Sequence, residues 1–208
     1  MVDDHQDSSQ KLIWQAVKEK VGFPRRYLFA NPKKITIRKQ IEDKIQSLIS
    51  FREHPQENTA CLISGPVGSG KSTLLAYICF RLIQCFESYY VHDPEQGKIA
   101  IAPPMLYLRV ADFFDMVFRK QTEKIEEIKS ERVLFLDDYG VEYPAEYPLA
   151  KFENFIEFRY AENLLTFITT NISPVEMEAR RATDRVIDRF FDSKWMTIFI
   201  MSGHSQRS

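Results

Sequence analysis

Eight consecutive residues have the types and order needed to hold a polyphosphate: Gly65, Pro66, Val67, Gly68, Ser69, Gly70, Lys71 and Ser72. They fit the pattern GxxxxGK[ST], preceded by the apolar run 60–64 and followed by a helical pattern over 72–86. Glycines let the backbone wrap closely around phosphates, and N–H groups of the loop and the helix start then point inward as anion donors. Lys71 would reach the β and γ phosphates, and the Ser72 hydroxyl would hold Mg²⁺, with Thr73 beside it among the nucleotide-binding residues.

A second set of chemical groups lies downstream. The run Val133-Leu134-Phe135-Leu136 ends in Asp137 and Asp138. Two carboxylates closing a buried strand are costly unless they serve a cation or a water. Asp137 is therefore expected to position Mg²⁺, and Asp138 to polarise an attacking water as general base. The apolar run 164–169 leads through Thr170 to Asn171. That amide could orient the water or touch the γ-phosphate, or simply start the turn before Ser173 and Pro174. Arg185 and Arg189 stand one helical turn apart and share a face. Such a pair either stabilises the charge of phosphoryl transfer or forms a solvated basic face with Asp184 and Asp188 as ion partners, and the residues alone favour the latter.

These groups need a scaffold, and the hydrophobic pattern describes one. Strands are expected at 60–64, 105–110, 133–136, 164–169 and 195–201. Helices are expected at 10–20, along the stripe Ile37, Ile41, Ile45, Leu48, Ile49, and at 72–86, 111–129, 149–161, 174–180 and 183–192. Residues 87–104, with Pro94, Gly97, Pro103 and Pro104, read as a long loop. Alternating strands and helices argue for an α/β fold, a mainly parallel sheet with helices on both faces. Leu12, Ile13, Ala16 and Val17 make a stripe expected to pack on the core of the same chain.

Composition removes several classes. With 28 Lys and Arg against 29 Asp and Glu, the net charge of −1 excludes a strongly basic nucleic-acid coat and an acidic tail. The 44% hydrophobic and 13% aromatic content is that of a globular chain. Cys61, Cys79 and Cys85 form no CxxC pair and read as reduced, buried thiols. The start, MVDDHQDSSQ, is no secretory signal, and no apolar run approaches the ~20 residues of a membrane helix. A cytoplasmic location without membrane contact is expected. The four histidines show no zinc-ligand spacing.

Taken together, the motifs resemble the AAA+ ATPases of the bacterial helicase-loader (DnaC/DnaI) and transposition-helper (IstB) family, from Gly22 onward. The stretch Leu134-Phe135-Leu136-Asp137-Asp138-Tyr139-Gly140 resembles that family's Walker B strand. Glu157-Phe158-Arg159-Tyr160 with Ile168-Thr169-Thr170-Asn171 resembles its arginine-tyrosine helix and sensor-1 strand. Arg185 to Phe190 resembles its arginine-finger box, and Ser202-Gly203-His204-Ser205-Gln206-Arg207 its closing motif. The resemblance implies a P-loop NTPase fold of AAA+ type, a five-stranded parallel sheet without a C-terminal helical lid, and a short arm at 1–21 before an ATP-binding domain at 22–208. It makes Asn171 a sensor, Arg189 a finger acting on a neighbouring subunit, and Arg207 a phosphate or inter-subunit contact. ATP and Mg²⁺ are the implied ligands, with a homo-oligomer when ATP is bound and a replicative helicase or a transposase as partner.

Family members engage single-stranded or duplex DNA through helices between Walker A and Walker B. The matching segment holds Arg119, Lys120, Lys124, Lys129 and Arg132, diluted by Glu123, Glu126, Glu127 and Glu131. Its apolar residues, Phe113, Phe114, Val117, Phe118, Ile125 and Ile128, fall at helical spacing and read as core. The expected function is an ATP-hydrolysing switch in DNA metabolism, resembling a replicative helicase loader, with an IstB-like transposition helper as alternative. Rivals of another class are a small-molecule P-loop kinase and a non-hydrolysing nucleotide-binding adaptor.

Overall fold

The computed structural model describes residues 3–28, 38–50, 59–85, 90–93, 98–101, 104–140, 146–181 and 184–201. Two helices, α1 (Asp3–Glu19) and α2 (Arg38–Ser50), precede β1 (Ala60–Ser64) and α3 (Lys71–Cys85). There follow β2 (Tyr90–Asp93), β3 (Lys98–Ile101), β4 (Met105–Arg109), α4 (Val110–Phe118), α5 (Thr122–Lys129) and β5 (Val133–Tyr139). The remainder is α6 (Glu146–Ala161), β6 (Leu165–Thr170), α7 (Pro174–Arg180), α8 (Arg185–Phe190) and β7 (Met196–Ile200).

Five strands form one parallel sheet in the order β4-β5-β6-β1-β7. Side chains alternate across a strand, and the core splits accordingly. Val133 and Phe135 join one apolar cluster with α1, α2 and α3, whereas Leu134 and Leu136 join another with α4, α6 and α8. A sheet covered on both faces explains why β1 is buried at every position.

Four expectations change in detail. The helix expected at 111–129 is two helices, because Lys120 takes a left-handed conformation (φ 54°) between α4 and α5. The expected loop 87–104 contains the antiparallel pair β2–β3, its alternation being too short to register as strands. Leu12 is 43% exposed, while Ile13, Trp14, Ala16 and Val17 are buried. Trp14 stacks on Phe80 with ring centroids 4.6 Å apart, which seats α1 on α3. Cys85 is only half-buried, unlike Cys61 and Cys79. Of the α2 stripe, Ile41 and Ile45 are buried; Ile37, Leu48 and Ile49 lie outside the described side chains. Among the described residues no helix is long and apolar enough to cross a membrane.

One cation is buried in the second cluster's border. Arg159 is fully buried and donates from Nε to Thr166 Oγ1 (3.0 Å), from Nη1 to the carbonyls of Lys129 (3.0 Å) and Glu131 (2.8 Å), and from Nη2 to that of Leu165 (2.7 Å). Burial pulls its pKa down to about 9, still cationic at neutral pH. The guanidinium thus ties the end of α5 to the start of β6. Arg159→Met keeps the aliphatic bulk but strands those acceptors, and is expected to cost about 3 kcal/mol or more. Urea unfolding at pH 7 measures it, and an unchanged midpoint contradicts the role.

Candidate active site

The phosphate-loop sequence emerges from the carboxyl end of β1 and turns into α3. Gly68 (φ 81°) and Gly70 (φ 94°) supply the left-handed backbone that the turn requires. A Cβ at Gly65 would lie 2.9 Å from both the Cβ and the carbonyl oxygen of Met201, so the loop start is packed too closely for any side chain.

Lys71 begins α3 and is 5% exposed. Its Nζ donates to the Gly65 carbonyl (2.8 Å), the Pro66 carbonyl (2.9 Å) and Asn171 Oδ1 (2.6 Å). Burial lowers its pKa, opposed by the negative charges of Asp138 and Asp137. Asn171 therefore lies against the loop lysine, a hundred residues away in sequence. Ser72 Oγ donates to Asp137 Oδ1 at 2.9 Å. Thr73 is half-buried in the same helical turn.

The two aspartates stand where β5 departs from regular pairing. Leu136 pairs with Ile168 but Tyr139 with Thr170, so β5 carries one extra residue and bulges. Asp138 sits in the bulge with φ 62°, a conformation that Asp tolerates better than most residues. The strand expected to end at Leu136 thus continues to Tyr139. The bulge aims the two acids differently. Asp137 is fully buried, its Oδ1 also accepting from Thr169 Oγ1 (2.5 Å) and its Oδ2 from Tyr107 Oη (2.8 Å). Asp138 is half-buried, and its backbone N–H donates to Thr169 Oγ1 at 2.9 Å. Burial and then the charge of Asp137 raise the Asp138 pKa, with Lys71, Arg26 and Arg109 pulling it back.

This cluster fits a magnesium-bound nucleotide on the residues present. Mg²⁺ is usually held by one or two carboxylates together with substrate phosphates, and Ser72 with Asp137 is such a partial set. No group of three or more His, Cys, Asp and Glu able to hold a metal alone occurs among the described residues. Ser69 Oγ is buried without a hydrogen-bond partner, as a loop hydroxyl would be whose acceptor is an incoming phosphate.

Arg189 lies elsewhere, on α8 against α6. Its Nε and Nη2 grip Glu157 Oε2 (2.7 Å) and Oε1 (3.2 Å), and its guanidinium lies 4.9 Å from the Tyr160 ring centre. Of the two ion partners expected from sequence, Asp188 is retained and Asp184 is not: Asp184 caps α8, accepting from the N–H groups of Val186 and Ile187, while Asp188 stands 3.8 Å from Arg189 Nη1 and 3.1 Å from Arg181. Arg185 and Arg189 do share a face, with Glu153 and Glu157, around a surface cavity of about 480 Å³. Arg207 lies outside the described residues.

In the segment considered for DNA, Phe113, Phe114, Val117 and Ile128 are core and Ile125 is half-buried. Phe118, the last residue of α4, departs from the expectation at 61% exposed. It lines a cavity of about 430 Å³ with Lys120, Tyr147 and Lys151. Lys129 is engaged by Glu126 at 2.5 Å and stands over the Phe158 ring. Sequence patterns give no sign of Tyr107, whose hydroxyl reaches Asp137, or of Arg26, whose charge acts on Asp138. Thr169 and Glu157 lie within the motifs, but their pairing with Asp137 and Arg189 does not follow from sequence.

The family described as Novel STAND NTPase 3 matches residues 44–134. No curated protein matches by sequence. Among solved structures, DnaI superposes with a TM-score of 0.63 at 22% identity, covering 88% of this chain and 94% of DnaI. The DnaC helicase loader gives 0.63 at 20% identity, covering 86% and 100%. AMPPCP-bound DnaA from Aquifex aeolicus gives 0.58 at 18% identity, covering 86% of this chain and 51% of that one. With the strand order and the loop between β1 and α3, these likenesses establish the fold: the chain is built on the P-loop NTPase core of AAA+ type that DnaI and DnaC share.

Proposed function

We propose that this chain binds Mg·ATP at the 65–73 loop and hydrolyses it, acting as a nucleotide-driven switch in DNA metabolism in the manner of a helicase loader. The single observation that carries the reading is the convergence of Lys71, Ser72, Asp137, Asp138 and Asn171 at the carboxyl ends of three adjacent strands. Ligands of open α/β sheets bind at that edge.

In this reading the loop N–H groups and Lys71 hold the phosphates. Ser72 and Asp137 would hold Mg²⁺, which when bound neutralises charge developing on the transferred phosphoryl group. Asp138, outside the hydroxyl cage that grips Asp137, polarises the attacking water and accepts its proton. Asn171 Oδ1 accepts from the Lys71 ammonium, and its amide would orient the water or the γ-phosphate. A neighbour's Arg189 completes the charge clamp, which requires a homo-oligomer in the ATP state. The protein partner in this reading is a replicative helicase. DNA would lie along the exposed Phe118, Lys120 and Lys124, and retention of single-stranded DNA should fall linearly with log salt.

Asp138→Asn tests the catalytic assignment. Turnover is expected to drop roughly 10²-fold or more while ATP affinity holds, because the base acts on water rather than on the nucleotide. The same change should raise the melting temperature at neutral pH. A carboxyl whose folded pKa is raised binds more protons folded than unfolded, so stability falls as pH rises through the interval above its ordinary value. Asn removes that charge and tolerates the left-handed backbone. Phosphate release, calorimetry and thermal melts decide it. A variant that hydrolyses ATP at the parental rate sinks the assignment of Asp138.

A further inference from the structure

We infer that Tyr107 is a positioning residue for the magnesium site: its hydroxyl fixes the plane of the Asp137 carboxylate toward the cation. The inference rests on the reading of Asp137 as a magnesium-holding residue.

Asp137 is fully buried, and no ion pair to it occurs among the described residues. Its charge is met instead by three neutral hydroxyls. Ser72 and Thr169 both donate to Oδ1, and among the described residues Tyr107 alone donates to Oδ2. Rotation about the terminal carboxylate bond of Asp is soft, so two donors on one oxygen leave the plane of the group free to swing. A third donor on the other oxygen stops it. Because all three donors are neutral, the full negative charge remains for a cation, which a lysine or arginine in the same place would cancel.

Tyr107 is itself held from the far side. Its backbone N–H donates to the Val21 carbonyl at 2.8 Å, and its ring lies 4.4 Å from the Phe23 ring, which in turn meets Phe135 of β5 at 5.4 Å. The segment that follows α1 thereby buttresses the residue that orients Asp137. Such outer partners of metal-holding groups are worth roughly 10- to 100-fold in metal affinity.

The test is Tyr107→Phe, which keeps the ring against Phe23 and removes one oxygen. ATP affinity is measured by calorimetry across a Mg²⁺ titration and in EDTA, and Mn²⁺ binding to the ATP-loaded protein by electron paramagnetic resonance. The expected result is a Mg²⁺ midpoint raised about tenfold or more with metal-free ATP affinity unchanged, and a modest fall in melting temperature from the donor lost to the buried carboxylate. An unchanged Mg²⁺ midpoint overturns the role of Tyr107. Equal weakening with and without metal also overturns it, since that reports a general packing loss. If the wild-type chain binds ATP with no dependence on Mg²⁺, the reading of Asp137 falls and this inference with it.

Discussion

Lys71→Ala is expected to remove tight Mg·ATP binding and leave the fold intact. The ammonium is buried at the mouth of the loop and rests on two carbonyls of that loop and on Asn171. Those neutral acceptors satisfy its protons but not its charge. Asp138 and Asp137 act on it only through space, and burial still depresses its pKa. A polyphosphate supplies the missing countercharge. Hydrogen bonds between charged groups contribute about 1.5–3 kcal/mol each. Losing one or two from a γ- and β-phosphate contact lowers affinity by roughly 10- to 10⁴-fold. The alanine side chain disturbs no apolar cluster, since Lys71 belongs to neither. Calorimetry with circular dichroism as control measures the effect. Affinity within a few-fold of wild type would remove the phosphate-loop assignment.

The second large effect concerns Arg189. In the single chain its guanidinium is parked on Glu157 and Tyr160, away from Lys71. The Nε and Nη2 edge is occupied, and Nη1 lies 3.8 Å from Asp188. If Arg189 completes the site of a neighbour, two defects become complementary. Lys71→Ala spoils a pocket but still offers its Arg189. Arg189→Ala keeps the pocket but offers nothing. Each alone should hydrolyse ATP poorly, since a finger is worth about 10³-fold or more. Mixed at concentrations where wild type assembles, some interfaces pair an intact pocket with an intact finger, and phosphate release should partly return. An Arg189 whose work ends at the Glu157 ion pair gives a mixture no faster than the mean of its parts. Exposed pairs of that kind contribute at most about 1 kcal/mol, so Arg189→Ala would then leave turnover nearly untouched.

Local chemistry was legible in the sequence, and chemistry assembled across strands was not. The loop could be read because its glycines, lysine and serine are contiguous and the flanking strand and helix have distinct periods. Asp137 and Asp138 were visible as acids closing an apolar run. Their different settings depend on a bulge, which exists only once β5 is paired with β6, and no spacing within 133–139 announces it. Tyr107 and Thr169 looked like ordinary strand residues, because the hydroxyl cage forms only when β4, β5 and β6 lie side by side. Of the aspartates near Arg189 in sequence, Asp188 does lie 3.8 Å from it, but tertiary packing delivers the closer partner, Glu157, from 32 residues away. Phe118 fits the helical stripe of 111–129, but α4 stops at Phe118 and the left-handed turn at Lys120 restarts the chain as α5, so the stripe is not continuous.

The central claim is that Lys71, Ser72 and Asp137 together hold a magnesium-bound nucleoside triphosphate. The most direct measurement is calorimetric titration of the wild-type chain with ATP, once with Mg²⁺ and once in EDTA. One site per chain is expected, with binding that tightens when Mg²⁺ is present. No heat of binding in either condition, or a site occupied equally well without the metal, would contradict it.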